Sequence, residues 1–147
     1  MSSSTDDRPG AFHREYQGGV ATLRSARRDV VEWLTHLGAG QETKDRAALI
    51  VSELTSNAIQ AAPGSAYQLQ VARIDEQSAA ISVSNRQISG LPPAPHRWRA
   101  PTEVPLREIP LRGRGLAIVD SLSEEVTVEH NGESVIVTAR LRIDTKR

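Results

Sequence analysis

The sequence predicts an α+β two-layer sandwich, and three observations carry that prediction. Two amphipathic helices follow one another directly. The strands are grouped, where a doubly wound parallel sheet would alternate them with helices. A long proline-rich stretch separates this first group from a short helix and a closing hairpin. The expected order is strand, helix, helix, strand, strand, long loop, short helix, strand, strand.

The elements follow from local chemistry. Met1–Gly10 (MSSSTDDRPG) is polar throughout and reads as a disordered tail ahead of one domain over 11–147. Ala11–Gln17 forms a short first strand anchored by Phe12 and Tyr16, and Gly18-Gly19 end it. From Val20 to Leu37 the positions Val20, Leu23, Arg27, Val30, Leu34 and Leu37 step by threes and fours, which is a helical period with one polar member. Gly38 and Gly40 stop that helix. A second helix runs from near Glu42 to about Ala62, with Ala47, Ile50, Val51, Leu54, Ala58 and Ala61 as its apolar stripe and Pro63-Gly64 as its stop. Tyr67–Ile74 and Ala79–Ser84 alternate apolar and polar residues as strands do. The polar stretch between them suits a turn, though not one of the tight two-residue types. Gly90–Arg112 holds six of the eight prolines, which excludes a regular helix or central strand. A loop of that length in a compact domain is usually functional or disordered. Arg112–Gly115 (RGRG) leads into the apolar stretch Leu116–Leu122, and strands near Glu125–His130 and Ser134–Ile143 flank Asn131-Gly132, a hairpin signal.

Composition limits the partners. The 147 residues suit one domain with a single core, and with aromatics at 3% that core must be aliphatic. Eighteen basic side chains balance eighteen acidic ones, so no overall charge favours nucleic acid or a membrane surface. The absence of cysteine excludes disulfides, thiolate zinc sites and thiol catalysis. No apolar run approaches the roughly 20 residues of a membrane span. The chain is expected to be cytoplasmic.

Two short motifs carry candidate chemistry. Glu53 and Asn57 in VSELTSNAIQAA are four residues apart and share a helix face, about 40° apart around the axis. Asn57 stands about 20° from the apolar Ile50 by the same arithmetic. The pair thus lies at the edge of the buried stripe, where a ligand or metal would supply polar partners; two solvated residues on an ordinary helix are the plain alternative. Gly113 and Gly115, ahead of a helix, would let backbone amides approach an anion; the alternative is a flexible loop end with a helix cap.

Taken together the motifs say more. A helix with ExxxNA, two strands, a long irregular loop, RGRGL opening a helix and a terminal hairpin resemble the GHKL (Bergerat-fold) ATPase superfamily. Within it the pattern is most similar to the anti-sigma-factor serine/threonine kinases, over about Phe12 to Ile143. The resemblance implies a histidine-kinase-like ATPase domain whose mixed, mainly antiparallel sheet is covered on one face by helices. It implies ATP and Mg²⁺ as cofactors, with Asn57 as the Mg²⁺ ligand and Glu53 as the catalytic general base. Residues 90–112 match the ATP lid. Arg112, Gly113, Arg114, Gly115 and Leu116 match the second glycine box, with the two arginines neutralising phosphates. Ser134 takes the place of a small hydroxyl residue near adenine. The implied partners are a sigma factor and a STAS-type anti-sigma-factor antagonist, with homodimerisation in addition. The implied reaction phosphorylates a serine of that antagonist.

The chain departs from the pattern at its first glycine box. Asn85 stands where the family has the Asp that accepts the adenine amino proton; its amide oxygen can still accept that bond. Gln87 and Ser89 stand where glycines would be, and Gly90 comes one residue late. That run separates the kinase reading from its alternative, a fold kept with little or no catalysis that regulates a sigma factor by direct contact. A stand-alone histidine-kinase catalytic domain ranks lower, because no room is expected for a helix pair carrying a phosphoacceptor histidine. The histidines, His13, His36, His96 and His130, show no helical metal spacing and are read as structural or solvated. Arg24, Arg27 and Arg28 form either a solvated helix face or a partner-binding one. His96-Arg97-Trp98-Arg99 either folds back on the domain or stacks on a base or partner.

Overall fold

A computed structural model describes residues 11–19, 21–62, 64–86, 96–97, 111–131 and 134–144. The elements are β1 (Ala11–Tyr16), α1 (Ala21–His36), α2 (Gln41–Ala61), β2 (Tyr67–Asp75), β3 (Ser78–Arg86), β4 (His96–Arg97), α3 (Leu111–Leu122), β5 (Glu125–Asn131) and β6 (Ser134–Arg142). The strands form one sheet in the order β1-β2-β3-β6-β5-β4, and every described pairing is antiparallel. This is the α+β two-layer sandwich that the element order predicts. No described helix is long and apolar enough to cross a membrane.

Register explains why helices cover one face of the sheet. Leu69 pairs with Val83, Val83 with Val137, and Val137 with Val128. The next row in phase runs Phe12, Val71, Ile81, Ala139 and Val126. All these side chains are buried except Val137, which packs against the core while partly exposed. Because the side-chain period is two, the other face carries Gln68, Gln70, Ser82, Ser84, Thr127 and Thr138, with Ser82 Oγ and Thr138 Oγ1 hydrogen-bonded at 2.8 Å. A polar face of this kind is what an antiparallel sheet can leave to water.

The helices supply the second layer. In α1 the buried positions are Ala26, Val30 and Leu34. The apolar period therefore runs through Ala26, and Arg27, which the pattern counted, is exposed. Helix α2 buries Ala47, Ile50, Val51, Leu54, Thr55 and Ala58. Burying each large aliphatic side chain there stabilises the fold by about 1.5–3 kcal/mol. The Thr55 hydroxyl adds no orphaned donor, since it bonds Val51 O at 2.6 Å. The start of α2 is fastened to the end of β6. Gly40 N–H donates to Asp144 O at 2.7 Å, and Asp144 N–H donates to Thr43 Oγ1 at 2.9 Å. Arg46 reaches the Asp144 carboxylate at 3.0 Å.

Several connections differ from expectation. The β2–β3 link is a two-residue turn, with Asp75 opposite Ser78. The Asp75 carboxylate accepts the Gln77 N–H at 2.8 Å, a side-chain turn that composition alone did not reveal. The proline-rich segment contains a strand, His96–Arg97, paired with Val128 and Thr127. Two residues between prolines at a sheet edge escape the restriction that excludes a longer strand. Residues 90–95 and 98–110 of that segment and the tail, residues 1–10, lie outside the described residues, and the segment's last two residues begin α3. The β5 and β6 strands pair as far as Asn131 opposite Ser134. Gly18 lets the turn after β1 lie against the turn after α2, because a Cβ there would collide with the Ser65 carbonyl oxygen.

A polar cluster ties β1 to α1. Asp29 Oδ2 accepts from Tyr16 Oη at 2.6 Å and from Arg14 at 2.7 Å. Tyr16 stacks on Tyr67 with ring centroids 5.5 Å apart, and the Tyr67 hydroxyl lies 2.9 Å from Thr22 Oγ1. Burial, then the bond to Asp29, pushes the Tyr16 phenol above its ordinary value, and burial raises Tyr67 as well. In the unfolded chain both phenols ionise near pH 10, while the fold holds them neutral. Stability is therefore full below about pH 10 and falls above it, by at most about 1.4 kcal/mol per pH unit for each tyrosine. Urea unfolding from about pH 9 upward checks this. Tyr16→Phe is expected to show a shallower alkaline loss than the parent.

Candidate functional site

Helix α2 brings the first motif to the position its spacing predicts. Ile50, Leu54, Ala58, Val51 and Thr55 fill one flank and are buried. Asn57 comes next around the axis and Glu53 follows it, both partly exposed. Neither side chain forms a hydrogen bond or ion pair with any described residue. Their neighbours on the helix differ: Ser52 Oγ donates to Ala48 O at 2.9 Å, and Gln60 Nε2 to Ser56 Oγ at 3.4 Å. An acid and an amide without partners at the rim of a core form a place where an external polar group can bind without displacing internal bonds.

Asn85 sits inside β3, opposite Val135, one residue before the strand's end. Its Nδ2 donates to Ala58 O at 3.2 Å. The fold thus brings Asn85 to the residue next to Asn57 in the last turn of α2. A carbonyl oxygen can only accept, so the donor end of the amide faces Ala58 and the acceptor end, Oδ1, is left for another partner. The resemblance implied a contact of Asn85 with adenine and gave no sign of this tether, which joins residues 27 apart.

The glycine-rich motif is placed differently from expectation. Helix α3 begins at Leu111, so Arg112, Gly113, Arg114, Gly115 and Leu116 form its first turns and do not precede it. Pro110 precedes that start in the sequence, a residue type common at helix entries, where a missing N–H costs nothing. The amides of Leu111, Arg112 and Gly113 are the first three of the helix and precede the first amide that the helical ladder satisfies. The positive end of the helix dipole falls at the same place. Helix α3 packs on α2 and buries Val119 in the shared core. The side chains of 111–116 lie outside the described residues. So do the side chain of Ser134, the first residue of β6, and residues 87–95 and 98–110, which include Gln87, Ser89 and most of the expected lid.

The histidines fit structural roles where they are described. His13 Nε2 meets Gln68 Oε1 at 3.2 Å, and His36 Nδ1 meets Glu32 O at 2.8 Å. Arg24, Arg27 and Arg28 are exposed on α1, with Arg27 donating to Ser52 Oγ at 3.3 Å. Among the described residues no three His, Asp or Glu side chains gather to hold a metal. Asn57 alone fits a cation that arrives on phosphate oxygens and keeps several waters, as Mg²⁺ does. It does not fit a metal held by protein ligands alone.

Since Glu53 and Asn57 support no described contact, Glu53→Ala and Asn57→Ala are expected to leave stability within about 0.5 kcal/mol of the parent. Thermal unfolding without ligand measures this. A loss of about 2 kcal/mol or more would make the pair structural.

Comparison with known proteins bears on the same arrangement. No curated protein matches the chain. Among solved structures, that of the RsbU and RsbW domains of Rv1364c from Mycobacterium tuberculosis matches with a TM-score of 0.67 at 18% identity, covering 92% of this chain and 32% of that one. This chain thus spans about a third of that chain's length, and at that identity the likeness shows a shared fold. The family model of the histidine kinase-like ATPase domain matches residues 18–141, which takes in α2, α3 and the sheet that joins them. The chain belongs to the histidine kinase-like ATPase domain family.

Proposed function

We propose that the chain binds Mg-ATP beside the outer flank of α2 and acts as a serine/threonine kinase of the anti-sigma-factor kind, in the cytoplasm. The observation that carries this reading is the pair Glu53 and Asn57 at the rim of the core, which has no hydrogen-bond or ion-pair partner among the described residues, with Asn85 tied to the carbonyl of Ala58 beside it. Family membership supports a nucleotide as the missing partner.

Each residue has a role in this reading. Asn57 Oδ1 would hold Mg²⁺, which when bound would neutralise phosphate charge. Glu53 would accept the proton of a serine hydroxyl as that oxygen bonds the γ-phosphorus and the bond from phosphorus to the β–γ bridging oxygen breaks, releasing ADP. The free amides at the start of α3, with Gly113 and Gly115 allowing close approach, hold phosphate oxygens. Arg112 and Arg114 add positive charge, and Leu116 and Ser134 complete the nucleotide contacts. Asn85 faces the base. Residues 90–112 act as a lid over the nucleotide, and ATP shifts the lid population toward one partner-binding state. The partners are a sigma factor and a STAS-type antagonist whose serine is phosphorylated, with a homodimer as the working form. Gln87 and Ser89, in place of glycine, favour one other reading: a protein-binding module of the same fold that regulates a sigma factor by contact alone.

Isothermal titration with Mg-ATP separates the two. The parent is expected to bind. Asn57→Ala should weaken Mg-dependent binding by about 10–100-fold. Glu53→Ala should bind as the parent does but fail to transfer phosphate. A parent that binds no nucleotide leaves the contact-only module.

A further inference from the structure

We infer that Thr43 is a positioning residue for the candidate site: its hydroxyl joins the start of α2 to the backbone at the end of β6 and so sets where Glu53 and Asn57 stand. The joint itself is independent of the nucleotide reading above; its bearing on ligand binding rests on that reading.

The first amides of a helix have no carbonyl partner within it, and a side chain at the N-cap ordinarily takes one of them. Helix α2 lacks that device, because its N-cap is Gly40 and no side chain caps it. Thr43, in the first turn, is fully buried and turns its hydroxyl to the end of the sheet. Its Oγ1 accepts the Asp144 N–H at 2.9 Å and donates to Asp144 O at 3.4 Å. Gly40 N–H donates to the same carbonyl at 2.7 Å. Three bonds thus join the first turn of the helix to main-chain atoms of one residue. That residue is itself fixed. Its neighbour Ile143 is buried in the core and donates its N–H to Gln77 O at 2.7 Å. The Asp144 carboxylate pairs with Arg46 and Arg142, so the bonds to Thr43 and Gly40 come from the backbone alone.

The joint reaches the site because a helix moves as a unit. Apolar burial is non-directional. It decides which flank of α2 faces inward but opposes a slide along the axis less sharply than hydrogen bonds do, since these weaken steeply as their geometry departs from linear. From Thr43 to Asn57 the helix rises about 21 Å, and a displacement at its start is carried along the axis to the pair. A misplacement of about 1 Å caused far from the chemistry can cost about 100-fold in rate.

Substitutions at one position test this against a control. Thr43→Val keeps the shape and removes the hydroxyl, while the Gly40 bond remains. Thr43→Ser keeps the hydroxyl. Val30→Ala removes core packing on α1 and no bond of the joint. In ligand-free protein labelled with ¹⁵N, Thr43→Val should shift the Asn57 side-chain amide resonances. Thr43→Ser should return them to the parent's positions, and Val30→Ala should leave them in place. In titrations, Thr43→Val should weaken Mg-ADP binding by about tenfold, and Thr43→Ser should restore it. Should the valine variant not fold, Thr43→Ala, which leaves room for water at the freed Asp144 N–H, gives the same comparison. Asn57 resonances that keep the parent's positions without the hydroxyl, or that move as far in Val30→Ala, overturn the positioning role. So does a variant without the hydroxyl that binds Mg-ADP as the parent does. A parent that binds no Mg-ADP overturns the nucleotide reading and leaves the resonances to decide the joint.

Discussion

The packing of α2 against the sheet is the constraint on which the rest depends. Its buried flank, from Ile50 through Leu54 and Ala58 to Val51 and Thr55, meets the apolar rows of β3 and β6 and the inner faces of α1 and α3. That burial fixes the rotation of the helix about its own axis. Once the rotation is fixed, Asn57 and Glu53 must stand at the rim, because helical geometry gives them no other direction. A helix free to roll by one residue would bury the pair or turn it fully to water. The candidate site is thus a consequence of core packing, and its rigidity is that of the core.

Both ends of α2 are also held. The start is bonded to Asp144 at the end of β6, through Gly40, Thr43 and Arg46. The end is bonded to Asn85 at the end of β3. The strands reach opposite ends of one helix because β3 and β6 are antiparallel neighbours. Asn57 stands about one turn and Glu53 about two turns from the end of α2, within reach of fraying, and tethering the last turn limits it. A pair held in this way keeps its geometry before a ligand arrives, which is what the proposed phosphoryl transfer would require of it.

Much of this was legible in the residues, and the reasons differ by element. The limits of α1 and α2 followed from Gly38, Gly40 and Pro63-Gly64, because glycine and proline act locally. The Glu53–Asn57 face followed from helical arithmetic. Arg27 misled the period of α1 because a long side chain can leave a position that Ala26, one residue earlier, fills. The start of α3 was misplaced because two glycines look like loop, whereas the helix takes both into its first turns. The strand at His96–Arg97 was hidden by prolines on both sides. Least legible were the tethers. Thr43 and Asp144 are 101 residues apart, and nothing local in either segment announces the other.

In the proposed function Asn57 faces a divalent cation brought in by a nucleotide. Paramagnetic broadening with Mn²⁺ in place of Mg²⁺ reads this at the side chain itself. In protein labelled with ¹⁵N, the Asn57 side-chain amide resonances should disappear when Mn²⁺ and ADP are added together, and persist with Mn²⁺ alone. Resonances that stay sharp with both present, while those of another surface broaden, would contradict the account.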